Sequence, residues 1–221
     1  RLERLVQLVR SCRPEVVALQ EVFDRSAVEL LRRELPEYRL HTSERSDAFG
    51  SVNVSGLVTL TRVPAHPGGF QEFEALPRGS RLIERLGRKG FLVTEVGTPG
   101  VHLTLINTHL YAAREPEEEA LALSQLRQIA EFVELERRRG QTVAVLGDFN
   151  LTPIQLSAYF GTEAFVSRHG PTYDPRTNPY TGKGANQGAD DDTVRFAGGP
   201  RAIDLMALWT ESPLGVESRV M

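Results

Sequence analysis

Three apolar stretches of this chain end on residues that can do acid–base, metal-binding or hydrogen-bonding chemistry. Glu21 follows VVALQ, Asn107-Thr108-His109 follows VHLTLI, and Asp148 and Asn150 in GDFN follow TVAVL. A strand end is a good place for such groups, because the rigid element aims the side chain and the loop beyond it leaves room for a ligand. Singly, each has an ordinary explanation. Glu21 could be an exposed carboxylate, His109 a hydrogen-bonded structural histidine, and Asp148-Phe149-Asn150 an Asx turn after Gly147. Together they would need three separate ordinary explanations, whereas one site accounts for all of them.

The mixture suits one chemistry. A glutamate is a hard oxygen ligand for Mg²⁺, which keeps several waters and binds through one or two carboxylates plus substrate phosphate. An aspartate can orient and deprotonate a water. Asparagine and histidine can donate hydrogen bonds to phosphate oxygens as charge builds in the transition state. The chain contains no P-loop, no H-E-x-x-H and no G-x-S-x-G. Metal-assisted phosphoester hydrolysis is therefore the leading reaction class.

The elements that must hold these residues can be read from patterning. Residues 2–10 put Leu2, Leu5, Val6 and Val9 on one helical face, and Pro14 ends that helix. Residues 16–19 fit a short buried strand. Residues 26–35 predict a second amphipathic helix, with Ser26 as N-cap and Pro36 beyond it. Residues 56–61, 91–96 and 101–107 predict strands, and Pro99-Gly100 joins the last two as a hairpin. Residues 116–139 predict a long helix, with acidic residues in its first turn, arginines in its last and Gly140 just past its end. Residues 142–147 predict a buried strand, and 202–209 another that carries Asp204. From 161 to 201 the chain is rich in Gly, Pro, Asn and Asp and reads as long loop; Asp190-Asp191-Asp192 within it reads as solvated loop. A hairpin mixed with strand–helix–strand segments implies an α/β protein with mixed sheets.

Composition sets bounds on function. The 221 residues include 40% hydrophobic and 25% charged, which fits a globular protein with a substantial core. No apolar run approaches the length of about 18 residues that a membrane span needs. The net charge of −3 argues against a protein that coats nucleic acid through a basic face, although it leaves room for a nuclease with a local site. One cysteine, Cys12, excludes an internal disulfide framework and a multi-cysteine zinc site. The basic residues are 24 arginines and two lysines, Lys89 and Lys183.

Five segments, in this order, carry a resemblance. VVALQEV (16–22), SGLVTLTR (55–62), INTHL (106–110), LGDFN (146–150) and AIDL (202–205) resemble the endonuclease/exonuclease/phosphatase superfamily over most of the chain. The resemblance implies a single domain over 1–221: an α/β fold, a four-layer α/β/β/α sandwich of two packed mixed sheets, DNase I-like, with the site at one edge of the sheets. It implies Glu21 as the Mg²⁺ ligand, with Mn²⁺ or Ca²⁺ as substitutes. It implies Asp148 as the group that activates the attacking water, and Asn150 as a phosphate-holding residue. His109 falls on the position that hydrogen-bonds the scissile phosphate. Asp204 falls on the position that orients a late catalytic histidine.

Within the superfamily the sequence looks most like neutral sphingomyelinases. NTHL (107–110), KGFL (89–92) and PTYDPRTNPYT (171–181) carry that likeness. They imply Asn107, Lys89, Tyr173 and Asn178 as substrate-binding residues, and a phosphodiester substrate, such as a phospholipid at a membrane surface, taken by a monomer. Two further readings stand beside it. One is a Mg²⁺-dependent nuclease, with Arg168, Arg176 and Arg195 supplying part of a basic groove for nucleic acid. The other is an inactive binding domain of the same fold. The family pattern also includes a first strand with an Asn and a late Ser-Asp-His segment. Neither is in these 221 residues, and His41, His66, His102 and His169 sit in contexts unlike that motif. The expectation is a chain that belongs to a longer protein.

Overall fold

Side-chain alternation decides how the layers stack. In a strand, successive residues point to opposite faces. On one face of the larger sheet, Phe91, Val93, Ile106, Val143 and Val145 are buried against helices. On the other face, Val96, Leu105 and Ala144 are buried with Ala65, and Val16 of the smaller sheet packs against them. The computed structural model describes residues 2–43, 55–74, 89–98, 101–112, 116–160, 165–166 and 204–209.

The smaller sheet contains β1 (Val16–Leu19), β2 (Arg39–Thr42) and β3 (Val58–Thr61), in the order β1-β3-β2 and antiparallel throughout. Its outer face is covered by α1 (Leu2–Cys12) and α2 (Arg25–Glu34), through Val6, Val9, Val28 and Leu31. The larger sheet contains β4 (Ala65–Glu72), β5 (Gly90–Thr98), β6 (Val101–His109), β7 (Thr142–Asp148), β8 (Phe165–Val166) and β9 (Asp204–Trp209). Their order is β4-β5-β6-β7-β9-β8, and only the β6–β7 pair is parallel. The crossover between those two is α3 (Pro116–Arg138), whose buried stripe of Ala122, Leu126, Ile129 and Val133 lies on the sheet. A shorter helix, α4 (Pro153–Phe160), joins the same layer. The order of layers is helix, sheet, sheet, helix, a DNase I-like α/β sandwich. Among the described residues no helix is long and apolar enough to cross a membrane.

Several elements differ from their sequence reading. The N-cap of α2 is Asp24, whose carboxylate accepts from the Ser26 N–H at 2.8 Å, so the helix starts two residues earlier than a Ser26 cap would allow. β4 has no strand reading in the sequence, since it holds Pro67-Gly68-Gly69. It survives as an edge strand with a bulge between Pro67 and Gly69, where a missing N–H costs no ladder bond. α4 has a signature that the apolar pattern hides. Thr152-Pro153-Ile154-Gln155 is a capping box with proline in the first turn, and the Thr152 N–H donates to Gln155 Oε1 at 2.8 Å.

Candidate active site

Strand register gathers the sequence candidates at one sheet end. In the parallel β6–β7 pair His109 lies opposite Asp148, and in the antiparallel β7–β9 pair Asp148 lies opposite Asp204. Three strands thus bring three candidate positions into one row. His109 Nε2 and Asp148 Oδ2 are 3.8 Å apart. That is too long for a hydrogen bond and suits two groups that share a third partner.

The close approach of β6 and β7 depends on Gly147. A Cβ on Gly147 would lie 2.0 Å from the Thr108 carbonyl oxygen, an impossible contact. The glycine in GDFN is therefore a steric requirement of the row. Beyond it, Phe149 is fully buried, and its ring meets Phe160 edge-on at 6.4 Å, while Phe160 meets Trp209 at 4.7 Å. Phe149 anchors the turn, and the polar residues on either side of it stay half-buried.

Asn150 adopts a left-handed φ of 50°. Its N–H donates to Asp148 Oδ1 at 2.9 Å, and its side-chain Nδ2 donates to the Leu110 carbonyl at 3.2 Å. Lys89 Nζ donates to that same carbonyl, also at 3.2 Å. Lys89 is held in place by its own carbonyl, which accepts from the Phe73 N–H. The Leu110 N–H in turn donates to the Asp148 carbonyl. One residue after His109 therefore ties together Lys89, Asp148 and Asn150.

Glu21 comes from the smaller sheet. It follows β1, is exposed, and has a φ of 60°. The left-handed region is costly for a non-glycine residue, and such strain clusters at functional sites. Among the described residues three non-glycines have positive φ, and two of them are Glu21 and Asn150. The turn at Glu21 is held from behind. The Val22 N–H donates to the Gly56 carbonyl at 2.9 Å, and the Phe23 ring lies so close that a Cβ on Gly56 would be 2.6 Å from it.

Asn107 requires a correction. It is 0% exposed and offers no group to substrate. Its Nδ2 donates to the carbonyls of Leu19 at 3.1 Å and Val58 at 3.0 Å, with Thr59 Oγ1 at 3.4 Å, and its Oδ1 accepts from Gln20 Nε2 at 2.8 Å. The polar residue buried on the inner face of β6 is spent on the other sheet. Tyr173, Asn178, Asp190 to Asp192 and the arginines at 168, 176 and 195 lie outside the described residues, and Asp204 is described by its backbone alone.

A divalent metal fits this set in one mode. Among the described residues no group of three or more His, Cys, Asp or Glu is arranged around a metal. Mg²⁺ does not need one, since water and phosphate fill most of its shell. An exposed carboxylate at Glu21 matches that demand.

Comparison with known proteins agrees with this architecture. The model of the Endonuclease/Exonuclease/phosphatase family matches residues 1–205. No curated protein sequence matches the chain. Truncated TDP2 of Caenorhabditis elegans superposes with a TM-score of 0.66 at 16% identity, over 95% of this chain and 77% of that one. Sphingomyelinase C of Streptomyces griseocarneus gives 0.68 at 17% identity, over 94% and 76%. A hairpin-deletion mutant of Staphylococcus aureus beta toxin gives 0.69 at 16%, over 97% and 80%. At these identities the likeness is one of fold.

Proposed function

The chain belongs to the endonuclease/exonuclease/phosphatase family, and from that premise we propose that it is a Mg²⁺-dependent phosphodiesterase of sphingomyelinase-like type. The observation that carries this reading is the row His109–Asp148–Asp204, joined through Leu110 to Lys89 and Asn150. A phosphate set against that row would find a carboxylate and three hydrogen-bond donors at the same sheet end.

The roles follow from the groups. Asp148 orients a water and accepts its proton as the water attacks phosphorus in line with the leaving oxygen. His109, Asn150 and Lys89 donate to the non-bridging oxygens as negative charge grows on them. Glu21 would hold the divalent ion, which when bound stabilises charge on the phosphate. The backbone pairing of Asp204 with Asp148 supports its role in orienting a catalytic histidine. Tyr173 and Asn178 are proposed as substrate contacts from their motif.

Lys89 favours a lipid phosphodiester as substrate. It sits in the KGFL segment of sphingomyelinase likeness, and its ammonium donates to the Leu110 carbonyl, one residue past His109. The deciding experiment is phosphocholine release from sphingomyelin vesicles, with Mg²⁺ and with EDTA, beside nicking of plasmid DNA under the same conditions. The expected result is release that EDTA abolishes, with no nicking. Nicking alone would replace the reading with a nuclease. Metal binding with turnover of neither substrate would replace it with a binding domain.

A further inference from the structure

We propose that Asn107 and Gln20 form a positioning pin that fixes the metal-ligand half of the site against the phosphate-activating half. The inference rests on the roles assigned above to Glu21, His109 and Asp148. Those groups belong to different sheets. Glu21 extends from β1 of the smaller sheet, while His109 and Asp148 end β6 and β7 of the larger one.

Stacked sheets meet through apolar side chains, and here the buried contact is made by Ala65, Val96, Leu105 and Ala144, with Val16 of the smaller sheet against them. Dispersion contacts are non-directional and set no lateral position by themselves. Hydrogen bonds do, because they weaken steeply with displacement and bending. Asn107 on β6 bonds the backbone of both β1 and β3, and its remaining oxygen takes the Gln20 amide. The pin stands one residue from Glu21 on one side and two from His109 on the other. A fully buried amide that loses these partners would leave polar groups unsatisfied, so the two sheets have one favoured register. Catalysis by positioned groups is sensitive to such register, and about 1 Å of misplacement can cost about 10²-fold in rate.

The pin makes a prediction that a purely structural asparagine does not. Asn107→Leu keeps the number of side-chain heavy atoms and removes every side-chain hydrogen bond; Gln20→Ala removes one bond from a half-buried position and serves where the first variant fails to fold. Mn²⁺ is the probe, with affinity read by electron paramagnetic resonance and the distance from Mn²⁺ to the His109 ring read by its paramagnetic broadening in NMR. Turnover is read on bis(p-nitrophenyl) phosphate. Folded variants are expected to keep Mn²⁺ affinity and KM, to show altered broadening at His109, and to lose kcat by about 10-fold or more. Unchanged broadening and kcat in the folded variants would overturn the pin. So would a loss of rate that only tracks the unfolded fraction. Wild-type affinity for Mn²⁺ in Glu21→Ala would instead overturn the underlying assignment of the metal ligand.

Discussion

The Lys89 ammonium and the Asn150 amide donate to one oxygen, the carbonyl of Leu110, each at 3.2 Å. Neither residue is near the other in sequence, and one stands before β5 while the other follows β7. A carbonyl shared by a cation and an amide holds both donors at the rim of the His109–Asp148 row. When a phosphate enters, either donor can turn from the carbonyl to a more negative oxygen at little cost, since one hydrogen bond replaces another. Lys89→Met and Asn150→Ala are each expected to lower kcat by about 10²-fold, the usual cost of removing one donor to a developing anion. Steady-state kinetics on a phosphodiester checks this, and a wild-type rate in both variants would remove them from the site.

The metal side should respond differently. Glu21→Gln keeps size and shape and removes the charge, so the Mg²⁺ concentration for half-maximal rate should rise steeply. Asp148→Asn should leave that concentration unchanged and lower the maximal rate by orders of magnitude, because it removes the proton acceptor. Gly56→Ala is expected to resemble a weak form of Glu21→Gln, since its Cβ would push on Phe23 and loosen the turn that carries Glu21. Titration of activity with Mg²⁺ distinguishes the three. A Gly56→Ala curve that overlays the wild type would show that the turn holds without Phe23 on the glycine.

Gly147→Ala tests the closeness of β6 and β7. The added Cβ meets backbone, not a movable side chain, so the strands must part at the point where His109 faces Asp148. The expected cost is about 3 kcal/mol of stability together with loss of turnover. Urea unfolding measures the first and rate the second. A stable and active variant would mean that the row tolerates a wider strand spacing.

The positions that the fold gathers at this sheet end could be read in the sequence because strand ends carry a strong signal. VHLTLI and TVAVL announce buried strands, and whatever follows them must lie at an end of the sheet. Parallel pairing of His109 with Asp148 could not be read, since register depends on the α3 crossover and on Gly147. Asn107 departs from its sequence expectation for a related reason. Its residue type fits phosphate binding, and only the alternation of β6 against the second sheet shows that it faces inward. Gln20 carried no signal beside Glu21, because its partner lies 87 residues away. β4 and α4 were hidden by local chemistry: prolines and glycines disguised an edge strand, and a short helix with low amphipathicity left its capping box as the one available sign.

His41 supplies a test of the fold that is independent of catalysis. It lies buried on β2, with Nε2 3.0 Å from Thr61 Oγ1. Burial lowers its pKa, and the positive charges of Arg39 and His66 lower it further. In the unfolded chain a histidine titrates near about 6.5. Above that pH both states hold the neutral ring and stability is at its full value. As the pH falls below it, the unfolded chain takes up a proton that the folded chain resists, so stability declines until the folded ring also protonates. The slope from this one group can reach about 1.4 kcal/mol per pH unit. His41→Gln keeps a hydrogen-bonding side chain and removes the titration, so its unfolding free energy should fall less steeply between neutral and mildly acidic pH. Chemical unfolding at a series of pH values measures the two slopes, and equal slopes would show that His41 does not carry the acid sensitivity.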